Sequence, residues 1–290
     1  MYTAYASACQ TKGEKKMECK MKNISLNYEI IGNGKPIIML HGYHVDHRLM
    51  AGCMEPVFNN IDEYKRIYVD LPGMGKTKGE NWIINSDVML DIVINFIEKI
   101  IPSENFLLTG ESYGGYLARG IVHKIANKVD GLFLLCPAII MDFKKRNVPS
   151  HIILKGDDKL LSQLEPSDAE CFTSIQVVQS KKNWDRYRDE ILPGIRLADN
   201  NFLLNLQENG YAFSFDVDSL KDKFNKPTLM LLGRQDSGVG YKDAWSILDN
   251  YPRATFAVLD RAGHNLQIEQ EELFNSLVSE WLVRVNESLG

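Results

Sequence analysis

Gly110-Glu111-Ser112-Tyr113-Gly114 is the stretch on which the reading of this chain turns. An apolar run, Phe106-Leu107-Leu108-Thr109, stands before it, and a helical pattern begins near Gly115. The order predicts a strand, a very tight turn and a helix. A serine at the tip of such a turn projects its hydroxyl out of the fold, and the helix behind it aims free backbone N–H groups at the same spot. Gly110 and Gly114 lie two residues to either side, where a side chain would collide with the neighbouring strand and helix. G-x-S-x-G arises by chance roughly 0.1 times in a chain of this length and composition, so the flanking elements carry weight: together they mark a place built for a nucleophile. The plainer reading is a glycine-rich β–α turn with a surface serine.

Outward from that turn the same alternation recurs. Ile24 to Ile31 and Pro36 to Leu40 read as two strands around Gly32-Asn33-Gly34, a hairpin signal. Ile67 to Asp70 is a short strand ending in the turn Leu71-Pro72-Gly73. Val88, Ile92, Val93, Phe96, Ile97 and Ile100 recur at helical steps, with Ser86 or Asp87 as the cap and Pro102 beyond the end. Leu117, Ile121, Val122 and Ile125 give the helix after the serine its apolar stripe. Gly131 to Cys136, Thr228 to Leu232 and Thr255 to Leu259 read as buried strands, Tyr241 to Asn250 as a helix, and Leu273, Leu277, Val278, Trp281 and Leu282 as the last helix. Strands that alternate with helices and lack polar alternation imply an α/β fold, a mostly parallel sheet with helices on both faces.

From about Ala138 to Asn225 this rhythm breaks. Helical pieces open at Pro166-Ser167-Asp168 and Asp199-Asn200, aromatic residues are frequent, and no buried strand is evident. The expectation is a core of residues 17–137 and 226–290 carrying a helical cap at 138–225, which covers the carboxyl ends of the strands where open α/β sheets bind ligands. Residues 1–16 are small, polar and basic, without the apolar stretch of a signal peptide; they read as a disordered tail, with Met17 a candidate start.

Composition narrows the partners. A formal net charge of −5 gives no electrostatic footprint for nucleic acid or anionic membranes. No apolar run is long enough to span a bilayer. Cys9, Cys19, Cys53, Cys136 and Cys171 are scattered, odd in number and form no C-x-x-C, so they read as reduced thiols of a cytoplasmic protein rather than disulfides or a zinc site. A monomer or homodimer acting on a small-molecule substrate is expected.

A serine hydroxyl is a poor nucleophile until a base takes its proton. His264, in Ala262-Gly263-His264-Asn265, follows the last strand on a short turn at the same sheet edge as the serine. The imidazole needs a carboxylate to hold its tautomer and stabilise its cation. Asp236, in Gly233-Arg234-Gln235-Asp236-Ser237, follows the penultimate strand on that edge; Asp260 is the rival acid, expected to cap the turn instead. Two N–H donors for an oxyanion are expected from Tyr113 at the helix start and from Tyr43 after the strand ending at Leu40, with His41 tying that loop. His44 on the same loop and Trp184 among the insertion aromatics are candidate substrate contacts.

In order, the chain carries His41-Gly42, Asp70-Leu71-Pro72-Gly73-Met74-Gly75, Gly110-Glu111-Ser112-Tyr113-Gly114-Gly115, Gly233-Arg234-Gln235-Asp236 and Gly263-His264. This resembles the α/β-hydrolase superfamily in its capped, esterase-like branch, over roughly Ile24 to Leu282. The resemblance implies Ser112 as nucleophile, His264 as base and Asp236 as its partner, with Tyr43 and Tyr113 supplying the oxyanion N–H groups, and neither metal nor cofactor. Haloalkane dehalogenases and epoxide hydrolases of this fold use an aspartate where this chain has Ser112, and proline iminopeptidases usually show tryptophan where it has Tyr113. Esterases, lipase-like enzymes and C–C bond or lactone hydrolases remain, as does an aminopeptidase if Glu165, Asp168 or Glu170 binds a substrate amine. A ligand receptor that has lost its chemistry is the reading from another class.

Two motifs imitate other chemistry. His44, Asp46 and His47 match only part of a metallo-hydrolase H-x-H-x-D-H box, because Gly42 stands where the first histidine belongs. Gly73-Met74-Gly75-Lys76-Thr77 imitates a P-loop end, but Asp70 occupies the first glycine position. Glu111 reads as a buried, hydrogen-bonded helper.

Overall fold

The computed structural model describes residues 15–290. Strands β1 (Lys15–Lys20), β2 (Ser25–Ile31), β3 (Lys35–Leu40), β4 (Tyr64–Val69), β5 (Phe106–Glu111), β6 (Val129–Leu135), β7 (Thr228–Gly233) and β8 (Ala254–Leu259) form one sheet in the order β1-β2-β4-β3-β5-β6-β7-β8. β1 and β2 pair antiparallel, as do β2 and β4; every later pairing is parallel. The apolar runs of β5, β6 and β7 are buried at every position, as strands covered on both faces must be. β8 is half-buried throughout because it is the edge strand, so the expectation of a fully buried run there is corrected.

Helices α1 (His47–Met54), α2 (Ser86–Ile100) and α3 (Tyr113–Ile125) lie in the first half. α4 (Asp158–Leu161), α5 (Pro166–Thr173), α6 (Lys181–Glu190), α7 (Leu192–Leu197) and α8 (Asn200–Gly210) all fall between β6 and β7; α9 (Lys242–Trp245), α10 (Leu266–Glu269) and α11 (Glu271–Leu289) complete the chain. α2 and α3 pack together on one face, while α1 and α11 meet across the turn at Glu55–Phe58 on the other. The Trp281 indole of α11 is fully buried against Phe133 of β6 and donates to the Pro227 carbonyl at 3.1 Å.

The structure corrects several local expectations. Gly32-Asn33-Gly34 does not close a hairpin: β4 lies between β2 and β3 and pairs with both. The turn instead wraps the start of β4, where Lys35 N–H donates to the Glu63 carbonyl and a Cβ on Gly34 would come within 2.1 Å of that oxygen. The hairpin that does form joins β1 to β2. Lys15 and Lys16 therefore belong to the sheet and not to a tail; the rest of that proposed tail, residues 1–14, lies outside the described residues. Asn85, not Ser86 or Asp87, caps α2 by accepting from Val88 N–H, which leaves the Ser86 hydroxyl for Tyr113 and Tyr211. The helix expected at Tyr241 to Asn250 is broken into α9 and a 3-10 turn at Leu248–Asn250.

The β5–α3 connection rests on two backbone contacts. A Cβ on Gly110 would lie 2.3 Å from the Gly114 carbonyl oxygen, and one on Gly114 would lie 2.3 Å from that of Leu40. Glycine alone lets the helix start this close to β3 and β5. Gly110→Ala should therefore destabilise the protein by at least about 2 kcal/mol. Gly156→Ala, whose nearest contact would be 3.9 Å away, should change stability by less than about 1 kcal/mol. Urea unfolding followed by tryptophan fluorescence measures both; equal effects would contradict the close-approach argument.

Candidate active site

Ser112 sits between β5 and α3 with φ 51° and ψ −113°, a conformation that costs a non-glycine residue about 1–3 kcal/mol. Three backbone bonds hold it there. Its N–H donates to the Leu135 carbonyl at 3.0 Å, and its own carbonyl accepts from Tyr116 N–H at 3.1 Å and Ala138 N–H at 3.0 Å. The last of these ties the elbow to the first residues of the insertion. Glu111 and Tyr113 on either side are buried, while Ser112 is half-exposed.

Asp236 and His264 come from the loops after the adjacent strands β7 and β8. The loops touch: a Cβ on Gly233 would meet the Gly263 carbonyl oxygen at 2.2 Å. Asp236 is fully buried; Oδ1 accepts from Gly238 N–H at 2.8 Å and Val239 N–H at 3.0 Å, and Oδ2 lies 2.9 Å from His264 Nδ1. Burial alone would raise the Asp236 pKa, but the His264 charge and hydrogen bond, with the two N–H groups, hold it below the usual range. Burial likewise would lower the His264 pKa, yet the Asp236 charge and hydrogen bond, with the Glu111 charge, lift it to about 9. Nδ1 thus donates to Asp236, leaving Nε2 for a partner on the other side of the ring.

β6 separates β5 from β7, so Ser112 starts about 10 Å from the strand that carries Asp236. The imidazole spans that gap. His264 Nε2 lies 3.3 Å from Glu111 Oε1, directly beside the serine. Among the described residues no hydrogen bond joins Ser112 Oγ to His264; the structure pairs Asp236 with His264 and brings that pair to the neighbour of Ser112. Asp260 is exposed and accepts from Gln235 Nε2 at 2.8 Å, away from the imidazole. Cys136, at the end of β6, has φ 40° and turns the chain away beside Asp236, its thiol kept neutral by burial.

The Tyr43 and Tyr113 N–H groups have no protein acceptor among the described residues. Both residues are pinned through their rings. Tyr43 Oη donates to the Leu203 carbonyl at 2.6 Å, and Tyr113 Oη bonds Ser86 Oγ at 2.8 Å. Tyr113 stacks on Tyr211 with centroids 5.2 Å apart, and Tyr43 meets both rings edge-on. His41 is fully buried, with Nδ1 2.7 Å from the Gly42 carbonyl and Nε2 accepting from Leu71 N–H at 3.0 Å, the structural tie expected for it.

His44 is half-buried on the Tyr43 loop, with φ 66° and its ring edge-on to Tyr43. Trp184 is 6% exposed among Phe172 and Tyr187; it packs within the continuous hydrophobic core, which explains its aromatic neighbours without a ligand. Asp46 caps α1 and pairs with Arg48, while His47 lies between Asp70 and Glu29, which raise its pKa to about 9 against its burial. Asp46, His47 and Asp70 do cluster, as do Cys136, Asp236 and His264. In each cluster the side chains already bond one another: His47 Nδ1 lies 2.7 Å from Asp70 Oδ1, and His264 Nδ1 lies 2.9 Å from Asp236 Oδ2.

Sequence reasoning missed Glu269 and Arg146. Glu269 Oε1 accepts from Val177 N–H at 2.6 Å and Val178 N–H at 2.9 Å, and Oε2 accepts from Gly263 N–H, so one carboxyl group joins the insertion to the histidine loop. Arg146 donates to the Gly238 carbonyl at 2.9 Å, and its charge reaches His264. An acid five residues past the histidine on a short helix was the available signal for Glu269; nothing local marked Arg146.

This arrangement belongs to a superfamily. A family model described as serine aminopeptidase, S33, matches residues 34–271, and the chain belongs to that family within the α/β-hydrolase superfamily. It is 25% identical over 269 residues to the AB hydrolase superfamily protein YisY of Bacillus subtilis, covering 90% of this chain and 96% of that one. It is 22% identical to a pimeloyl-[acyl-carrier protein] methyl ester esterase of Legionella pneumophila, over 87% and 96% of the two chains. A crystal structure of an α/β superfamily hydrolase from Oenococcus oeni superposes with a TM-score of 0.83 at 33% identity, covering 90% of this chain and 96% of that one.

The His264 shift has a consequence for stability. A folded-state pKa above the unfolded value of about 6.5 adds stability that is complete below that pH and fades as pH rises through the folded value. The stability difference between the native protein and His264→Asn should therefore be larger near about pH 6 than near about pH 10. Urea midpoints at the two pH values test this; a constant difference would contradict the raised pKa.

Proposed function

We propose that this protein is a serine hydrolase that cleaves an ester of a small, partly hydrophobic substrate through an acyl-enzyme on Ser112. The observation that carries the reading is the buried Asp236–His264 bond of 2.9 Å, whose imidazole reaches Glu111, the residue directly before the strained Ser112, while the Tyr43 and Tyr113 N–H groups have no protein acceptor among the described residues. Ser112 Oγ attacks the carbonyl carbon as His264 Nε2 takes its proton. The tetrahedral oxyanion rests on the Tyr43 and Tyr113 N–H groups, each worth about 3 kcal/mol of barrier. Asp236 stabilises the imidazolium, which then protonates the leaving alcohol; water activated by the same histidine releases the acid.

Residues 138–225 act as a cap over the carboxyl ends of the strands. The insertion lends Leu203 and Tyr211 to the two oxyanion tyrosines, and the tyrosine cluster of Tyr43, Tyr113 and Tyr211 favours an apolar acyl or alcohol part. Ester chemistry agrees with the esterase name of the Legionella relative. An aminopeptidase needs a carboxylate for the substrate amine, and the expected candidates lack a free, placed one: Asp168 pairs with Arg196 at 2.6 Å, and Glu165 and Glu170 are exposed. His44 remains a substrate contact in this reading.

Ser112→Ala and His264→Ala should each lower kcat by roughly 10⁴ to 10⁶ with the fold intact. The comparison is a panel of p-nitrophenyl esters, amino-acid anilides and lactones, together with covalent labelling by a fluorophosphonate. Esters should turn over fastest and Ser112 should carry the label. Failure of any ester to react, with no labelling of the native protein, would favour a non-catalytic ligand-binding member of the fold.

A further inference from the structure

Glu111 takes no part in the steps above. It ends β5, directly before the nucleophile, and is 2% exposed. Its Oε1 lies 3.3 Å from His264 Nε2, the nitrogen that receives the serine proton. Its Oε2 makes no hydrogen bond of good geometry among the described residues and lies against Gly42, where an added Cβ would come within 2.1 Å of it and whose backbone N–H is the donor that favours the charged form. A carboxylate is costly to bury without partners, and the sheet has no need of one here: its pairing residue on β6 is the apolar Leu135. The imidazole is therefore faced by a carboxyl group at each nitrogen, Asp236 at Nδ1 and Glu111 at Nε2.

We propose that Glu111 is a positioning residue that grips His264 by Nε2, competes with Ser112 for that nitrogen, and so sets how alkaline the medium must be before the imidazole accepts the serine proton. The proposal rests on the serine hydrolase reading. With both carboxyl groups ionised, a cationic imidazole lies between two anions, and removing its Nε2 proton forfeits attraction to each. Ser112 gains a base only once that proton has left for solvent. The directions of the shifts agree: Asp236 first and Glu111 next raise the His264 pKa against burial, while burial raises that of Glu111 to about 7 against the His264 charge. The other charged or titratable groups facing the pair are Arg146 from the insertion, which lowers the His264 pKa, and Cys136, Cys53 and Tyr211, which burial keeps protonated. Glu269 interacts with Asp236 from the far side.

Glu111→Gln keeps the shape and removes the charge. The readouts are kcat/KM for a p-nitrophenyl ester across pH and, in parallel, the rate at which a fluorophosphonate labels Ser112. The acid limb of both profiles should move down by about one pH unit or more, so that the rate near about pH 6 rises roughly tenfold relative to the variant's own plateau. A limb that stays where the native protein has it overturns the proposal and leaves the hydrolase reading standing. No labelling of Ser112 in either protein at any pH overturns both. Should the variant not fold, a ¹⁵N titration of His264 in the native protein decides: an imidazole still protonated above about pH 8 supports the proposal, and one that loses its proton near the ordinary value of about 6.5 overturns it.

Discussion

The close approach of one helix start to two strands is the constraint on which the site depends. Because Gly110 and Gly114 carry no side chain, the first turn of α3 meets the backbones of β3 and β5 at distances no other residue type would allow. That approach forces Ser112 into a left-handed conformation, and the strain persists because three backbone bonds from β6, α3 and the insertion over-determine it. The same approach starts the helix directly after Ser112, with a Tyr113 N–H that has no protein acceptor among the described residues. A strained residue and an electropositive helix end are thus two results of one packing decision.

Charge is handled as economically as space. Asp236 is fully buried, yet it stays ionised because two N–H groups and one imidazole satisfy it. Its neighbours on that sheet edge contribute no free charge of their own, since Cys136 is a neutral thiol and Asp260 faces solvent. Glu111 and Glu269 are the exceptions, and both are lifted toward neutrality by burial. Glu269 is satisfied by three backbone N–H groups, whereas Glu111 Oε2 makes no bond of good geometry among the described residues and has only the Gly42 backbone N–H beside it, which makes Glu111 the less settled of the two.

What the sequence discloses follows the range of the interactions involved. The elbow, the strand runs and the positions of Asp236 and His264 after consecutive strands are local patterns, and the fold class follows from them. The register of distant strands is not local. Gly32-Asn33-Gly34 has every feature of a hairpin turn, but β4, more than thirty residues on, inserts between the flanking strands because its apolar run pairs with both. The cap of α2 passes from Ser86 to Asn85 for a similar reason, as the Ser86 hydroxyl is claimed by Tyr113 and by Tyr211, over a hundred residues away. Trp184 shows the limit of composition: the aromatics of the insertion are needed first to dock it onto the rest of the molecule, and Phe172, Trp184 and Tyr187 pack together as part of the common core.

The insertion also carries a mechanical role that its sequence does not announce. Tyr43 Oη is bonded to the α8 carbonyl of Leu203, and the Tyr113 ring lies flat against Tyr211. The two rings belong to the same residues whose backbone N–H groups have no protein acceptor among the described residues. A displacement of α8 would drag the Tyr43 loop with it, and loss of Tyr211 from the stack would free the ring at the start of α3. Meanwhile Glu269 anchors Val177 and Val178 to the histidine loop from the opposite side. The insertion therefore contacts both sides of the candidate site, Tyr43 and Tyr113 through α8 and Tyr211, and the His264 loop through Glu269. In such an arrangement the position of the inserted helices and the geometry around Ser112 and His264 are tied together, so a shift of one must be accommodated by the other.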